Sequence, residues 1–462
     1  MTVPSPQELV ERALASTRSD HCIAIARVGS SANLRWANNT LTTNGVMQRV
    51  TVTVVSFVEK PDGTSAGSVT GTAATTEQVL RLVEAADDAA AASRAAEDAA
   101  ELVAGDVSED WLEPPTETSI QVYGDFAPAL GESFRRASSA GRVLYGFVDH
   151  DLTTTYLGSS TGLRLRHVQP TGHWGCTGKT SDLRSSAWVG GATPDFSDVD
   201  AASMDAELER RLGWARRTVD LPAGRYDTVL PPTAVADLMI YAYWVASART
   251  AHDGQSVYAR PGGGTRIGDR LSRHPVDVYS DPSYAGLRAA PFLVTSASDE
   301  TASVFDNGLP LSRTDWIREG TLTGLVQTRE TAVLTEQPVT PKVDNLVVEV
   351  DGASGDLEDV VRGVDRGLLL TCLWYIREVD PQSLLLTGLT RDGVYLVEGG
   401  EITAAVNNFR FNESPVDLLD RFSGATATVP SFSREWGDYF PRTATPALRV
   451  PDFNMSTVSQ AQ

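Results

Sequence analysis

Few residues of the kinds that carry metal or redox chemistry are present. The 462 residues include three cysteines, Cys22, Cys176 and Cys372. So widely separated, they make neither a disulfide framework nor a zinc ribbon, and their scarcity fits a reducing compartment. Lysine is nearly missing: Lys60, Lys179 and Lys342 are the only ones, and arginine supplies the remaining positive charge. Acidic residues outnumber basic ones by 60 to 39, a formal net charge of −21, which argues against a nucleic-acid or anionic-membrane partner. No apolar run reaches the roughly 18 residues of a membrane-spanning helix. The opening MTVPSPQELVERAL lacks the charged segment and apolar run of a secretion signal, so a cytoplasmic location is expected.

The most informative lack is local. Residues 231–254, PPTAVADLMIYAYWVASARTAHDG, start with proline and threonine, as a helix N-terminus does. They carry no charge from Leu238 to Ala248 and no His, Cys, Asp or Glu between Asp237 and His252. Apolar residues on every face predict a helix buried on all sides. It is too short, and too closely bounded by Asp237 and Arg249, to cross a membrane.

Around this helix the chain reads as α+β with largely antiparallel sheets. A helix is expected over 6–17, then short strands over 22–28, 33–37 and 49–58, with turns at Asn38, Asn39 and at Asp62, Gly63. Thr75 and Gln78 form a capping box that opens a long Ala-rich helix ending near Gly105. These elements make a helix-sheet-helix unit of residues 1–106, closed by an acidic linker. A central α/β unit, 118–220, should hold a helix near 127–140, strands at 143–148, 153–157, 163–168 and 186–189, and a charged helix over 202–217. A larger C-terminal domain, 221–462, should wrap mainly antiparallel strands around the buried helix. Its expected strands are 276–279, 303–305, 322–326, 346–350, 368–376 and 383–386, with a helix at 357–364. Gly399 and Gly400 turn a hairpin between 394–397 and 402–406.

Several short patterns invite a chemical reading. Gly63, Ser65 and Gly67 match the nucleophile-elbow spacing, but a turn and then Ser68, Val69 and Thr70 surround them, not a strand before and a helix after. Gly178, Lys179 and Thr180 resemble the end of a P-loop, yet the glycine required at 173 is His173. His173 and Cys176 have a metal-like spacing without the further ligands a mononuclear site needs. His252, at a helix C-terminus, suits dipole capping better than ligation. The densest polar stretch is VNNFRFNESP, 406–415. If extended, it places Asn408, Arg410 and Asn412 on one face and Phe409 and Phe411 on the other. Asn407, Asn408, Arg410 and Asn412 are the candidate peptide-binding residues, because amide and guanidinium groups can satisfy a peptide backbone or carboxylate. The plainer alternative is a polar segment that stitches strands together.

Segments spread over essentially the whole chain resemble the TldD/PmbA (TldD/TldE) family of metallopeptidase-related proteins. ELVERALASTRSDHCIAIARV resembles the start of the family's N-terminal domain, and DTVLPPTAVADLM the strand and helix that open its C-terminal domain. DNLVVEVDGASGDLEDVVRGVDRGLLLTCLW, LTGLTRDGVYLVEGGEITAAVNNFRFNESP and TPALRV resemble its later segments. In the catalytic subunit of that family the central helix carries HExxxH, whose His pair binds zinc, and a Cys near the C-terminus adds a ligand. By approximate register this chain has Ile240, Tyr241 and Val245 at the helix positions, and no Cys between Ser433 and Thr445. The resemblance therefore implies the metal-free, TldE/PmbA-like subunit of a bacterial cytoplasmic metallopeptidase. It implies no cofactor in this chain, zinc in a TldD-like HExxxH partner, and a small or unfolded peptide as substrate. The alternative is a metal-independent homodimer that binds or processes peptides or natural products on the same scaffold. A third reading is unrelated chemistry using Arg391, Asp392 or the Asn cluster.

Overall fold

The computed structural model describes residues 4–459. The first helix, α1 (Pro6–Ser16), is closed at its N-terminus by a capping box between Ser5 and Glu8. Six antiparallel strands follow in two groups: β1 (His21–Ala37), β2 (Thr40–Lys60) and β3 (Gly63–Thr72), then β4 (Arg142–Ser159), β5 (Arg164–Thr180) and β6 (Ser186–Thr193). They form one sheet in the order β3-β2-β1-β4-β5-β6.

These strands are longer than the segments expected from sequence, and the reason is packing. The first half of β1 (Ala24, Ala26) packs against α1 and α2 (Thr76–Ala92). Its second half (Leu34, Trp36) packs against α3 (Phe126–Ser139) and α4 (Ala201–Trp214). One strand spans two cores, so its apolar alternation breaks in the middle and looks like two strands. The turn at Asn38 and Asn39 is as expected, with φ of 51° and 58°.

The Ala-rich helix stops at Ala92, well short of Gly105. Ser93 caps it, and the chain turns back so that the Ala96 N–H donates to the Thr64 carbonyl at 2.9 Å. Tertiary pairing here overrides alanine's helix propensity. The linker at 106–118 does not separate two sheets: β1 pairs with β4 from Ile23↔Ser159 to Trp36↔Gly146, so residues 1–106 and 118–220 share one sheet.

From Thr218 onward the chain builds two further sheets. One runs Thr321–Leu322, Thr314–Arg318, Val276–Ser280, Leu346–Val350, Thr443–Thr445, Val429–Ser431. The other is ten-stranded and contains Gly224–Leu230 at its centre, flanked by Leu448–Val458 and Arg366–Leu370. Helix α5 (Pro232–Trp244) lies between them, in a core shared with Val276 and Leu346 on one side and Leu368 and Phe411 on the other. Expected strands at 303–305 and 322–326 become a 3-10 turn at Val304–Asp306 and the two-residue strand Thr321–Leu322. The segment 368–376 divides into Arg366–Leu370 and Leu373–Asp380. The hairpin turned by Gly399 and Gly400 is present, with φ of 58° and 79°. No helix among the described residues is long and apolar enough to cross a membrane.

Candidate functional site

Helix α5 begins at a pair of prolines, which suit a first turn whose N–H groups have no partner. Every residue from Ala234 to Ile240 is buried, Ile240 being 0% exposed. The last turn differs: Tyr241 and Trp244 are half-buried, and Val245 has left the helix as its C-cap. The Tyr241 ring centre lies 5.7 Å from that of Trp436, and Trp244 lies 5.1 Å from it. At the positions where the resemblance places a metal, the chain thus offers a buried isoleucine, a packed phenol and a valine beyond the helix end. This donor set does not fit zinc, which takes three or four N, S or O ligands. Among the described residues no three or more His, Cys, Asp or Glu are grouped to hold a metal ion.

The polar group that organises this end of the core is Asp237, one turn before Tyr241. It is wholly buried. Its Oδ1 accepts from the Ser433 hydroxyl and from the Glu435 N–H at 2.9 Å, while Oδ2 has no partner among the described residues. The Trp436 indole N–H donates to the Asp237 carbonyl at 2.9 Å. Burial pushes this carboxyl up to about 7, against the two hydrogen bonds that favour its ionised form. Asp237 therefore fastens the segment 433–436 onto α5, where the resemblance would put a cysteine ligand nearby.

Glu435 extends the arrangement outward. Its carboxylate accepts from the N–H groups of Tyr375 and Ile376, both at 3.1 Å. Tyr375 sits in a register shift of its strand with φ of 55°, a left-handed backbone that a tyrosine adopts only under constraint. The clamp leaves the Tyr375 side chain exposed. Arg434 bridges to the first sheet, its guanidinium 4.5 Å from the Trp374 ring and 5.1 Å from that of Trp188 on β6.

The Asn/Arg face forms as the alternation requires. The strand Phe409–Glu413 runs between Leu385–Thr390 and Leu448–Val458, with Phe409 and Phe411 fully buried. Asn407 accepts from the Leu221 N–H at 2.7 Å, Asn408 from the Thr390 hydroxyl at 3.2 Å, and Asn412 from the Thr387 and Ser456 hydroxyls at 3.0 and 3.2 Å. Arg410 is exposed and reaches the Thr387 hydroxyl at 3.3 Å. Every one of these side chains ties neighbouring segments together. Arg410→Ala is expected to leave the melting temperature almost unchanged, whereas Phe411→Ala on the opposite face should lose about 3–5 kcal/mol. Thermal unfolding of both variants checks the contrast.

The remaining sequence motifs resolve into structure. Ser65 lies in β3 and donates to the Ala90 carbonyl of α2 at 2.7 Å; a Cβ at Gly67 would come within 2.2 Å of the Ala90 nitrogen. The elbow-like spacing thus reflects close helix-on-sheet packing. Gly178, Lys179 and Thr180 are part of β5. His173 and Cys176, three apart on β5, point to opposite faces. Cys176 is buried and its thiol is pushed up to about 12 by burial. His173 stacks on Phe432, with Nε2 3.4 Å from Asp438. Across from it, Asp149 is pushed up to about 7 by burial and by Asp151. His252 ends the short helix Ala248–His252.

Sequence reading missed one cavity altogether. A cleft of about 1430 Å³ opens between the first sheet and the C-terminal unit, beside Pro231 and Pro232 at the start of α5. Its walls come from stretches as far apart as His167, Gly190, Arg288 and Arg442. Asp237 is visible in the sequence as a lone carboxylate bounding an apolar run, with nothing to mark its distant partners.

The sequence profile of the PmbA/TldA metallopeptidase C-terminal domain matches residues 223–457. No curated protein matches the chain. Among solved structures, TldE from Thermococcus kodakarensis superposes with a TM-score of 0.78 at 16% identity, over 97% of this chain and 99% of that one. A protein from Thermotoga maritima described as a candidate modulator of DNA gyrase gives 0.74 at 17% identity over 97% and 99% of the two chains. A similarly described protein from Bacteroides thetaiotaomicron gives 0.75 at 12% identity over 98% of both. At such identities these likenesses speak for the fold. With the profile covering just over half of its length, the chain belongs to the PmbA/TldD family of metallopeptidase-related proteins.

Proposed function

We propose that this chain is the metal-free, non-catalytic subunit of a TldD/TldE-type peptidase that acts on small or unfolded peptides in the cytoplasm. The observation that carries the reading is the end of α5. Ile240 is core, Tyr241 packs on Trp436, and Ser433 and Glu435 are committed to Asp237. A segment so occupied serves architecture. Chemistry then falls to a partner bearing HExxxH and zinc, with Tyr375 and the half-covered aromatic end of α5 available for contact.

The test is co-expression with an HExxxH homologue from the same genome. The two chains should co-elute, zinc should follow the partner, and hydrolysis of unstructured peptides should require both. This chain alone should hydrolyse none and hold no stoichiometric zinc by elemental analysis. One tightly held zinc per isolated chain would overturn the assignment. The cleft favours a second reading, a homo-oligomer that binds or processes peptides without metal; full peptide processing by the lone chain would support it.

A further inference from the structure

Strand β6 is the last strand of the first sheet, and no strand among the described residues pairs with its outer edge. That edge gives the cleft a wall of main chain at Gly190, Gly191 and Ala192. Its register on β5 is unbroken from Gly172↔Thr193 to Lys179↔Ser186. The Trp188 carbonyl is taken by the Arg211 guanidinium of α4 at 2.7 Å, so Trp188 directs its backbone groups away from β5. In an antiparallel ladder the inward and outward orientations alternate. Gly190 and Ala192 therefore turn their N–H and C=O groups toward the cleft. Open edges are ordinarily blunted by charge, proline or cover. This one is left open within a cleft.

Charge gives the second observation. In a chain of net charge −21, the lining carries Arg211, Arg288, Arg313, Arg442 and His167 against Asp198 and Asp281. Asp198 accepts from the Thr193 hydroxyl and Asp281 from the Ser283 N–H and hydroxyl, while Arg211, Arg313 and Arg442 are ion-paired with Glu207, Asp315 and Asp344. The Arg288 guanidinium, which is exposed, makes no hydrogen bond or ion pair with a described residue. Burial lowers His167 against its hydrogen bond with Gln169, and Arg442 and Arg288 add to the lowering. Prolines at 170, 194, 231, 282, 430 and 441 stiffen the rim, which reduces the ordering cost of binding.

We propose that the cleft captures an extended peptide segment with acidic side chains, added as a strand to the β6 edge with its carboxylates toward Arg288 and the neighbouring arginines. Main-chain pairing supplies affinity and the arginines select charge, the division of labour usual in strand addition. The capture needs neither a partner subunit nor a metal, so it stands apart from the subunit assignment.

The test is fluorescence anisotropy of the whole chain with labelled peptides of alternating Thr and Glu, Thr and Gln, or Thr and Lys. The Thr/Glu peptide should bind, more weakly as salt rises, and the Thr/Lys peptide should not. Arg288→Glu should weaken binding by about tenfold or more, the loss of one charge-assisted contact. Ala192→Pro removes an N–H aimed at the cleft, not a ladder bond, and should abolish binding. Circular dichroism and melting temperature establish that both variants fold. If Ala192→Pro does not fold, a Thr/Glu peptide N-methylated at alternate residues applies the same test from the ligand side and should lose binding. Equal binding of the three peptides, no binding of the Thr/Glu peptide at millimolar concentration, or undiminished binding to either folded variant or by the methylated peptide overturns the proposal.

Discussion

The triple substitution Ile240→His, Tyr241→Glu, Val245→His, which writes a metal motif into α5, is expected to unfold the protein before it gains activity. The three changes are unequal. Ile240 is fully enclosed between two sheets, and putting an imidazole there should cost about 3–5 kcal/mol in lost packing and an unpaired polar group. Tyr241→Glu forfeits the contact with Trp436 and sets a carboxylate near Glu378, whose charge adds to burial in raising the Tyr241 phenol. Val245, half-buried at the C-cap, should accept histidine at little cost. The total rivals the 5–15 kcal/mol that stabilises an ordinary domain. Thermal unfolding with and without zinc decides: a melting temperature like wild type, raised further by zinc, would show that α5 faces an open cleft. Val245→His alone serves as the tolerated control.

Asp237→Asn is expected to stabilise the protein above neutral pH and change little in acid. The asparagine oxygen can keep accepting from Ser433 and Glu435, while the buried negative charge is removed. The sign follows from the shift. In the folded chain this carboxyl is raised from 3.8 to about 7, so between those values the native state holds a proton that the unfolded chain has released. Stability falls as pH rises through that window, and the loss, on the order of 4 kcal/mol, is complete above it. Asp149, also raised to about 7, adds a parallel loss, and His173, lowered by burial, an opposing trend. Denaturant unfolding of wild type and Asp237→Asn at several pH values isolates the part due to Asp237. A difference that does not grow between pH 4 and 7 would show that the carboxyl is already ionised in the core.

Much of the architecture could be read from local pattern. The capping box at Thr75, the Asn38–Asn39 turn, the Gly399–Gly400 hairpin and the Phe409/Phe411 alternation all appear as local chemistry dictates. What local pattern could not give was partnership over distance. The length of β1 depends on two separate cores, and the end of α2 on a pairing between Ala96 and Thr64. The same limit applied to the site. The apolar character of α5 was legible, but the capture of Ser433 and Glu435 by Asp237 joins residues nearly two hundred positions apart. The cleft, assembled from many short stretches between His167 and Arg442, left no contiguous signature at all.

The long pairing of β1 with β4 also bears on how the chain is made. Strands β1 to β3 leave the ribosome as a meander whose inner edge, along Ile23–Trp36, stays unpaired until residues 146–159 have been synthesised. At about 5–20 residues per second, that edge is open for several seconds. It carries apolar, β-prone side chains and no proline. During synthesis this is the segment most exposed to wrong pairing with a neighbouring nascent chain. Chaperone demand and aggregation in overexpressing cells should accordingly respond to charges placed in residues 23–36 far more than to the same charges on the outer edge of β3.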